Sequence, residues 1–460
     1  MTRTAILLCS RAGLDRLPEG APGMLVEDLC HAPTAATQAL RNLGATRVVL
    51  GLCDHRASRE LLAALRRAGA EPFGIETVDI KGSDEPLRLL AAAAAKLARL
   101  PPDEPARPLL STEALSRRAL FTRDAVLDQA PVAVIDKDAC VGSLRCGLCA
   151  AACSSAAIDS SNPYPRVDIS ACSACADCIR PCPTGAIHLS GAAPAQLEAQ
   201  LEQLLEFADG IVLACENADA VTVPAGWALV TLPTLALVTP GWILQIRTRG
   251  REVELLRCDG TCCSGSTPGA AFVERLLGDR HWSPQPAPSP LRLGEPTATV
   301  EALRLIDATA STPTIEAAES PLGLLTLEAD RCTLCGACAT SCPTDALGFV
   351  DKEDETLLCY AHVACTGCGR CVGVCPEDAL ELTRGISPAL LQGGKQPLLR
   401  APREACCECG APLPPLPLRK RLRELLPDVA GSPLSMCAVC ARRTRQSELD
   451  PPRALVTDRI

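Results

Sequence analysis

The chain has 460 residues, too many for one hydrophobic core, and three to five domains are expected. A net charge of −9 and an aromatic content of only 2% exclude a basic field for nucleic acid and a platform of stacking rings. Before Cys9 the apolar stretch Ala5-Ile6-Leu7-Leu8 is too short for a signal peptide, and Leu8 is too bulky for a lipoprotein site, so a cytoplasmic, reducing setting is expected for the 29 cysteines.

In chain order, residues 1–100 read as a small α/β domain. Ala5–Cys9 is a strand, Leu25–Leu29 a second apolar stretch, and a helix-like segment ends at Gly44. Val48-Val49-Leu50 forms the next strand, and Arg59–Ala68 an amphipathic helix carrying Leu61, Leu62 and Leu65 on one face. A cysteine that ends a strand sits at the carboxyl edge of a parallel sheet, where α/β folds place their sites. Buried free thiols, which behave as small hydrophobes, are the preferred reading of Cys9, Cys30 and Cys53.

Residues 101–130 read as a linker, opened by the proline-rich Pro101–Pro108. Residues 131–190 carry two cysteine runs, Cys140/Cys146/Cys149/Cys153 and Cys172/Cys175/Cys178/Cys182. A second α/β domain follows at 205–282. Its Ala220–Ile246 stretch is uncharged and long enough to cross a bilayer, but Pro224, Pro233 and Pro240 would break such a helix. Short buried strands, Ala228–Leu232 among them, and no membrane span are expected.

Residues 283–324 form another linker, with Ser283–Pro296 proline-rich, and 325–385 hold the runs Cys332/Cys335/Cys338/Cys342 and Cys365/Cys368/Cys371/Cys375. The connectors Gln392–Gln396 and Ala411–Pro417 flank a last segment, 400–445, that reads as zinc-ribbon-like. There Cys406/Cys409 and Cys437/Cys440 are two C-x2-C pairs, 27 residues apart, spaced for four-thiolate zinc, with iron held the same way as the alternative and Cys407 able to stand in for Cys406. Arg419–Leu426 is a basic helix, read most simply as a solvated face. Cys359 is given no role.

The last three of the four long runs read C-x2-C-x2-C-x3-C-P without a gap. Three thiolates from a tight loop wrap one cubane, and the fourth cysteine reaches the other cluster of a pair. The crossed sets are then Cys140, Cys146, Cys149 and Cys182; Cys172, Cys175, Cys178 and Cys153; Cys332, Cys335, Cys338 and Cys375; and Cys365, Cys368, Cys371 and Cys342. Disulfides would need an oxidising compartment, and zinc uses two pairs of cysteines, not a triplet followed by C-P. These stretches resemble the bacterial two-cluster ferredoxin. Pro183, Pro343 and Pro376 stand where that family places proline, and Thr184–Ile187 and Thr344–Leu347 continue its pattern into a short strand. The first run departs from it: five residues separate Cys140 from Cys146, and Ser154 replaces the proline.

An internal duplication is also legible. Ala5–Cys9 is echoed by Ile211–Cys215; Leu52-Cys53-Asp54 by Arg257-Cys258-Asp259; and Arg59–Ala68 by Ala270–Leu277. The expected architecture is α/β plus α+β, in two tandem modules, each a parallel-sheet α/β domain followed by a two-cluster ferredoxin domain. Through Leu29-Cys30-His31, Thr46–Cys53 and Arg66–Phe73 the first copy resembles the N-terminal region of the flavin-carrying subunit of heterodisulfide reductase. Through Leu232-Pro233, Thr239-Pro240-Gly241, Cys258 and Cys262-Cys263 the second is similar to the iron–sulfur delta subunit of hydrogenases. Those likenesses imply a further cluster or a three-thiolate site on Cys9/Cys30/Cys53, completed by His31 or His55, or a cluster on Cys215, Cys258, Cys262 and Cys263.

No phosphate-cradling glycine loop follows any strand, so neither flavin nor nicotinamide is expected, and no nucleophile–base pair stands out. The expected function is electron transfer through four [4Fe–4S] clusters, as a relay subunit or partner of a larger oxidoreductase of the formate dehydrogenase, hydrogenase or heterodisulfide reductase type. A catalytic thiol/disulfide reductase subunit, or a redox sensor or cluster carrier, is the alternative.

Overall fold

A computed structural model describes residues 4–109, 128–259, 290–304, 314–425 and 434–449, except 15, 19, 21, 54–56, 82, 219–220, 319 and 353–354, together with Phe272, Val273 and Leu276. The chain forms two compact units, Met1–Thr309 with Glu319–Pro321, and Ala310–Ala318 with Leu322–Ile460.

The first unit opens with β1 (Thr4–Cys9), β2 (Gly23–Val26), β3 (Arg47–Leu52) and β4 (Ile75–Asp79), a parallel sheet in the order β2-β1-β3-β4. Both faces are covered, so the strands are almost continuously apolar, and the period of two assigns each residue to a layer. Ala5, Leu7, Val48 and Leu50 pack with Leu40, Leu61 and Leu65 of helices Pro33–Leu43 and Arg59–Arg67. Ile6, Leu8 and Val49 pack with Leu90, Ala93 and Leu97 of helix Pro86–Ala98. Gly44, in the left-handed conformation at φ 58°, ends the first helix, and Ser58 caps the second by accepting from the Leu61 amide.

Two strands, β5 (Arg107–Leu109) and β6 (Asp128–Ala130), pair antiparallel inside the stretch expected as a linker. Next come β7 (Ala133–Ile135), β8 (Ile158–Asp159), β9 (Arg166–Val167) and β10 (Ile187–Leu189), with β7 pairing β10 and β8 pairing β9. A second parallel sheet, β12-β11-β13, comprises β11 (Gly210–Cys215), β12 (Trp227–Leu232) and β13 (Glu252–Leu256). Like β1–β3, it runs strand, strand, helix, strand, the helix being Pro240–Arg247. Helix Pro194–Leu205 packs against Pro86–Ala98, joining the two sheets in one unit.

The uncharged stretch resolves into β12, a 3-10 turn and helix Pro240–Arg247, and no helix among the described residues is long and apolar enough to cross a membrane. The region expected as a second linker carries helix Pro296–Arg304, packed on Pro240–Arg247, and the Trp242 indole donates to the Leu293 carbonyl at 3.1 Å. Its buried Val300 and Leu303 override the loop signal of the prolines before it. Of the expected helix Ala270–Leu277, only the buried Phe272, Val273 and Leu276 lie among the described residues.

In the second unit, β14 (Ile315–Glu316), β15 (Gly323–Leu327) and β18 (Leu380–Ile386) form the antiparallel sheet β14-β18-β15. The strands β16 (Leu347–Asp351), β17 (Glu355–Tyr360) and β19 (Gln396–Pro402) form β16-β17-β19. The last of these strands begins inside a stretch expected as a connector. Within this unit, as in β7–β10, the outer strands pair with each other and the inner strands pair with each other around two cysteine runs. Cysteines 338, 342 and 371 belong to its core, beside Leu325, Leu347, Leu358 and Tyr360.

Candidate metal centres

The loops around β15–β18 are shaped by left-handed residues on either side of each middle cysteine. Leu334 (φ 57°) and Gly336 (83°) flank Cys335, and Gly367 (64°) and Gly369 (76°) flank Cys368. The same turn recurs at Cys175 between Ala174 (59°) and Ala176 (63°), where side chains occupy a conformation that ordinarily favours glycine. These reversals bend the chain tightly enough for its thiols to surround one volume.

Two such volumes exist in the second unit. One pocket is lined by Cys332, Cys335, Cys338 and Cys375. Another is lined by Cys342, Cys365, Cys368 and Cys371. Each takes three cysteines from one run and the fourth from the other. Burial, then the surrounding Cys332, Cys335 and Cys375, push the Cys338 thiol up to about 11. Burial, then Cys365, Cys368 and Cys342, push Cys371 up to about 12. Four thiols crowded out of water cannot all ionise unless positive charge joins them, so the donor set fits a cationic metal core. One cation lies close by: the Arg384 side chain on β18 packs against Gly367, within electrostatic range of Cys368 and Cys365.

Residues 331–379 match the family model of the 4Fe-4S dicluster domain. They form a ferredoxin-type iron–sulfur domain. No curated protein matches the chain. The dicluster match spans both runs of the second unit, and amides point at its sulfurs: the Ala379 N–H donates to Cys375 Sγ at 3.3 Å.

In the first unit, the counterpart of that bond runs from the Ala157 N–H to Cys153 Sγ at 3.2 Å, and the Ala133 N–H donates to Cys172 Sγ at 3.4 Å. Burial, and the neighbours Cys146, Cys182 and Cys140, raise Cys149 to about 11. Its neighbours are thus one run plus the fourth cysteine of the other. Cys178 is pushed up to about 12 by burial, with Cys172, Cys175 and Cys149 beside it. The irregular Cys140–Cys146 loop still delivers its thiols to the same place as the regular ones.

Two other groups are built differently. Cys406, Cys409, Cys437 and Cys440 bring their sulfurs within 4.8 Å of one another, as do Cys9, Cys30 and Cys53. No three cysteines of the long runs are that close among the described residues. A cubane puts each thiolate on a different iron and so holds the sulfurs apart, whereas a single ion draws its ligands together. At the carboxyl-terminal group the Cys437 N–H donates to Cys406 Sγ at 3.2 Å, and Cys409 and Cys437 sulfurs lie 3.7 Å apart. Amides of Cys437, Cys409 and Glu408 draw Cys406 down to about 6. Cys407 is exposed and its sulfur is directed to Ser435, outside the group.

The basic helix, Leu416–Leu425, is not simply a solvated face. Arg419 is buried, donating to the Pro414 carbonyl at 2.8 Å and pairing with Glu404, and Arg421 pairs with Glu377 at 3.0 Å. Cys215, at the end of β11, and Cys258, just after β13, are buried, and the Cys215 thiol is directed to the Pro233 carbonyl at 3.9 Å. Cys262, Cys263 and His55 lie outside the described residues. Cys359 is buried on β17.

Neither Arg384 nor the left-handed pairs stand out in the sequence. The glycines at 336, 367 and 369 are the available signal for the second.

Proposed function

We propose that the protein is an electron-transfer protein with four [4Fe–4S] clusters, arranged as two two-cluster units along one chain. The ligand sets are Cys140/Cys146/Cys149/Cys182, Cys172/Cys175/Cys178/Cys153, Cys332/Cys335/Cys338/Cys375 and Cys365/Cys368/Cys371/Cys342. The observation that carries this reading is the pair of pockets in the second unit, each walled by three cysteines of one run and the fourth of its partner. The bound clusters supply one-electron exchange with little rearrangement. The chain's own residues hold the thiolates, screen them from water and aim amides at them.

The two parallel sheets, with the same strand, strand, helix, strand order, support a duplicated module whose α/β part serves as a docking platform. The Cys406/Cys409/Cys437/Cys440 group is proposed as a structural zinc site, on its compact sulfurs and its two C-x2-C pairs. The protein acts in the cytoplasm as a relay between redox partner proteins of a larger oxidoreductase. A thiol-chemistry enzyme built on Cys258 is less favoured, because that thiol is buried.

The test is Cys375→Ala in the anaerobically reconstituted full chain. Iron should fall by about four per chain, one cubane's worth, while the other three clusters keep their reduced-state spectroscopic signals. Loss of the Cys365/Cys368/Cys371 cluster instead of the Cys332/Cys335/Cys338 cluster would show that each run serves its own cluster.

A further inference from the structure

The Cys9/Cys30/Cys53 group is assembled by sheet topology. The central strand β1 lies between β2 and β3, and all three run the same way. Cys9 is the last residue of β1, Cys30 sits in the 3-10 turn that follows β2, and Cys53 immediately follows β3. Three neighbouring strands thus deliver one thiol each to the carboxyl edge of the sheet, far apart in sequence but adjacent in space. The Cys53 sulfur is 3.4 Å from Cys9 Sγ and 3.4 Å from Cys30 Sγ. Cys9 and Cys30 are buried, at 0% and 3% exposure, and Cys53 is half-buried. Backbone amides of Arg11 and Cys30 are aimed at the Cys9 sulfur, the kind of support that holds a thiolate in place under a metal. His31 is exposed and does not join the group.

We propose that these three thiols bind one thiophilic d10 ion, Zn²⁺, as a three-thiolate site. The spacing selects a single ion over a cluster. Four bonds of about 2.3 Å to one tetrahedral zinc place sulfurs about 3.8 Å apart, and the Cys53 sulfur, 3.4 Å from both Cys9 Sγ and Cys30 Sγ, needs to move by only a few tenths of an ångström to reach that value. A cubane would need them spread over separate irons, as at the two pockets of the second unit. Thiolate donors select zinc over the harder divalent ions.

The experiment uses the full chain, reconstituted anaerobically with iron and sulfide, then equilibrated with Zn²⁺ and desalted. A Cys437→Ser/Cys440→Ser background removes the other compact thiol group. That protein should retain about one zinc per chain, and adding Cys30→Ser should lower zinc at least fivefold with iron unchanged. Because a buried substitution can disturb folding, the unmutated N-terminal site is also read directly. Alkylation of Cys9, Cys30 and Cys53, followed by mass spectrometry, should be suppressed by Zn²⁺ and restored by a chelator. Three results overturn the proposal: no zinc retained in the Cys437→Ser/Cys440→Ser protein, a drop of about four irons on Cys30→Ser, which would mean a cluster, or a Cys53 disulfide to Cys9 or Cys30 in the anaerobic protein.

Discussion

Arg384→Gln isolates a cation that the second unit places beside a proposed cluster. The Arg384 side chain lies against Gly367: a β-carbon built there would sit 3.5 Å from its guanidinium carbon. Gly367 is in the loop between Cys365 and Cys368, so the charge is near the cluster those residues would hold; for a separation of about 7 Å and an effective dielectric of about 20, a unit charge is worth about 2.4 kcal/mol. Reduction adds one negative charge, so the cation favours the reduced state by this amount, about 100 mV for one electron. Partial exposure of the arginine trims the figure, and a fall of about 50–100 mV is expected in Arg384→Gln. Potentiometric titration followed by electron paramagnetic resonance would resolve the clusters. Arg384→Lys, which keeps the charge, should recover most of the shift. A rise in potential, a change below about 15 mV, or an equal shift at every cluster would refute the electrostatic argument.

Three further outcomes are expected. Gly323→Ala puts a β-carbon 2.8 Å from Gly367 Cα and 3.0 Å from Cys365 Sγ, so about four irons should be lost; full iron with an unchanged potential would contradict this. Arg47→Ala removes a buried guanidinium that pairs with Glu71 at 2.9 Å and donates to the Leu97 carbonyl at 2.9 Å, and should cost the first unit about 3 kcal/mol in a urea melt, with less than about 1 kcal/mol counting against it. Glu104 is held above its ordinary 4.5 by burial, which outweighs the Gly191 amide and Arg47, and its Oε1 has no hydrogen-bond partner. A raised carboxyl contributes stability below its unfolded value and loses it as pH rises through the folded one, so the melting-temperature gain of Glu104→Gln over wild type should grow from pH 4.5 to pH 7 and not shrink.

What can be read from the sequence follows from short-range rules. The runs of cysteines, the strand after Thr344, and the three-proline objection to a membrane span each rest on a few adjacent residues, and the strand appears as β16 from Leu347. The parallel order around β1 follows from the alternation of apolar strands and helices. The joining of the first three thiols is harder to read. Free thiols are the natural reading because Cys9, Cys30 and Cys53 are widely separated in sequence, and only the pairing of β1 with both β2 and β3 shows that their ends are neighbours. The helix Pro296–Arg304 is hidden for a related reason: its partner, Trp242 and its helix, lies more than fifty residues earlier, and local composition reports only the prolines. Arg384 carries no motif at all, since a single basic residue on a strand acquires meaning only from what the strand lies against.

The dicluster domain builds cysteines into a small apolar core with Leu325, Leu347, Leu358 and Tyr360. Three of its cysteines are core residues, its helices Ala337–Ser341 and Arg370–Gly373 are only 5 and 4 residues long, and helices this short are not stable by themselves. Under the proposed ligand sets, cross-linking by clusters would supplement that core. The crossed pattern would make the cross-linking mutual, because each cluster would tie the loop of one run to the end of the other. The Arg421–Glu377 pair would extend the chain of dependence, since Glu377 lies two residues after Cys375 and helix Leu416–Leu425, which carries Arg421, also pairs its Arg419 with Glu404, two residues before Cys406. Assembly of one proposed centre would thus pre-position the loop of the next.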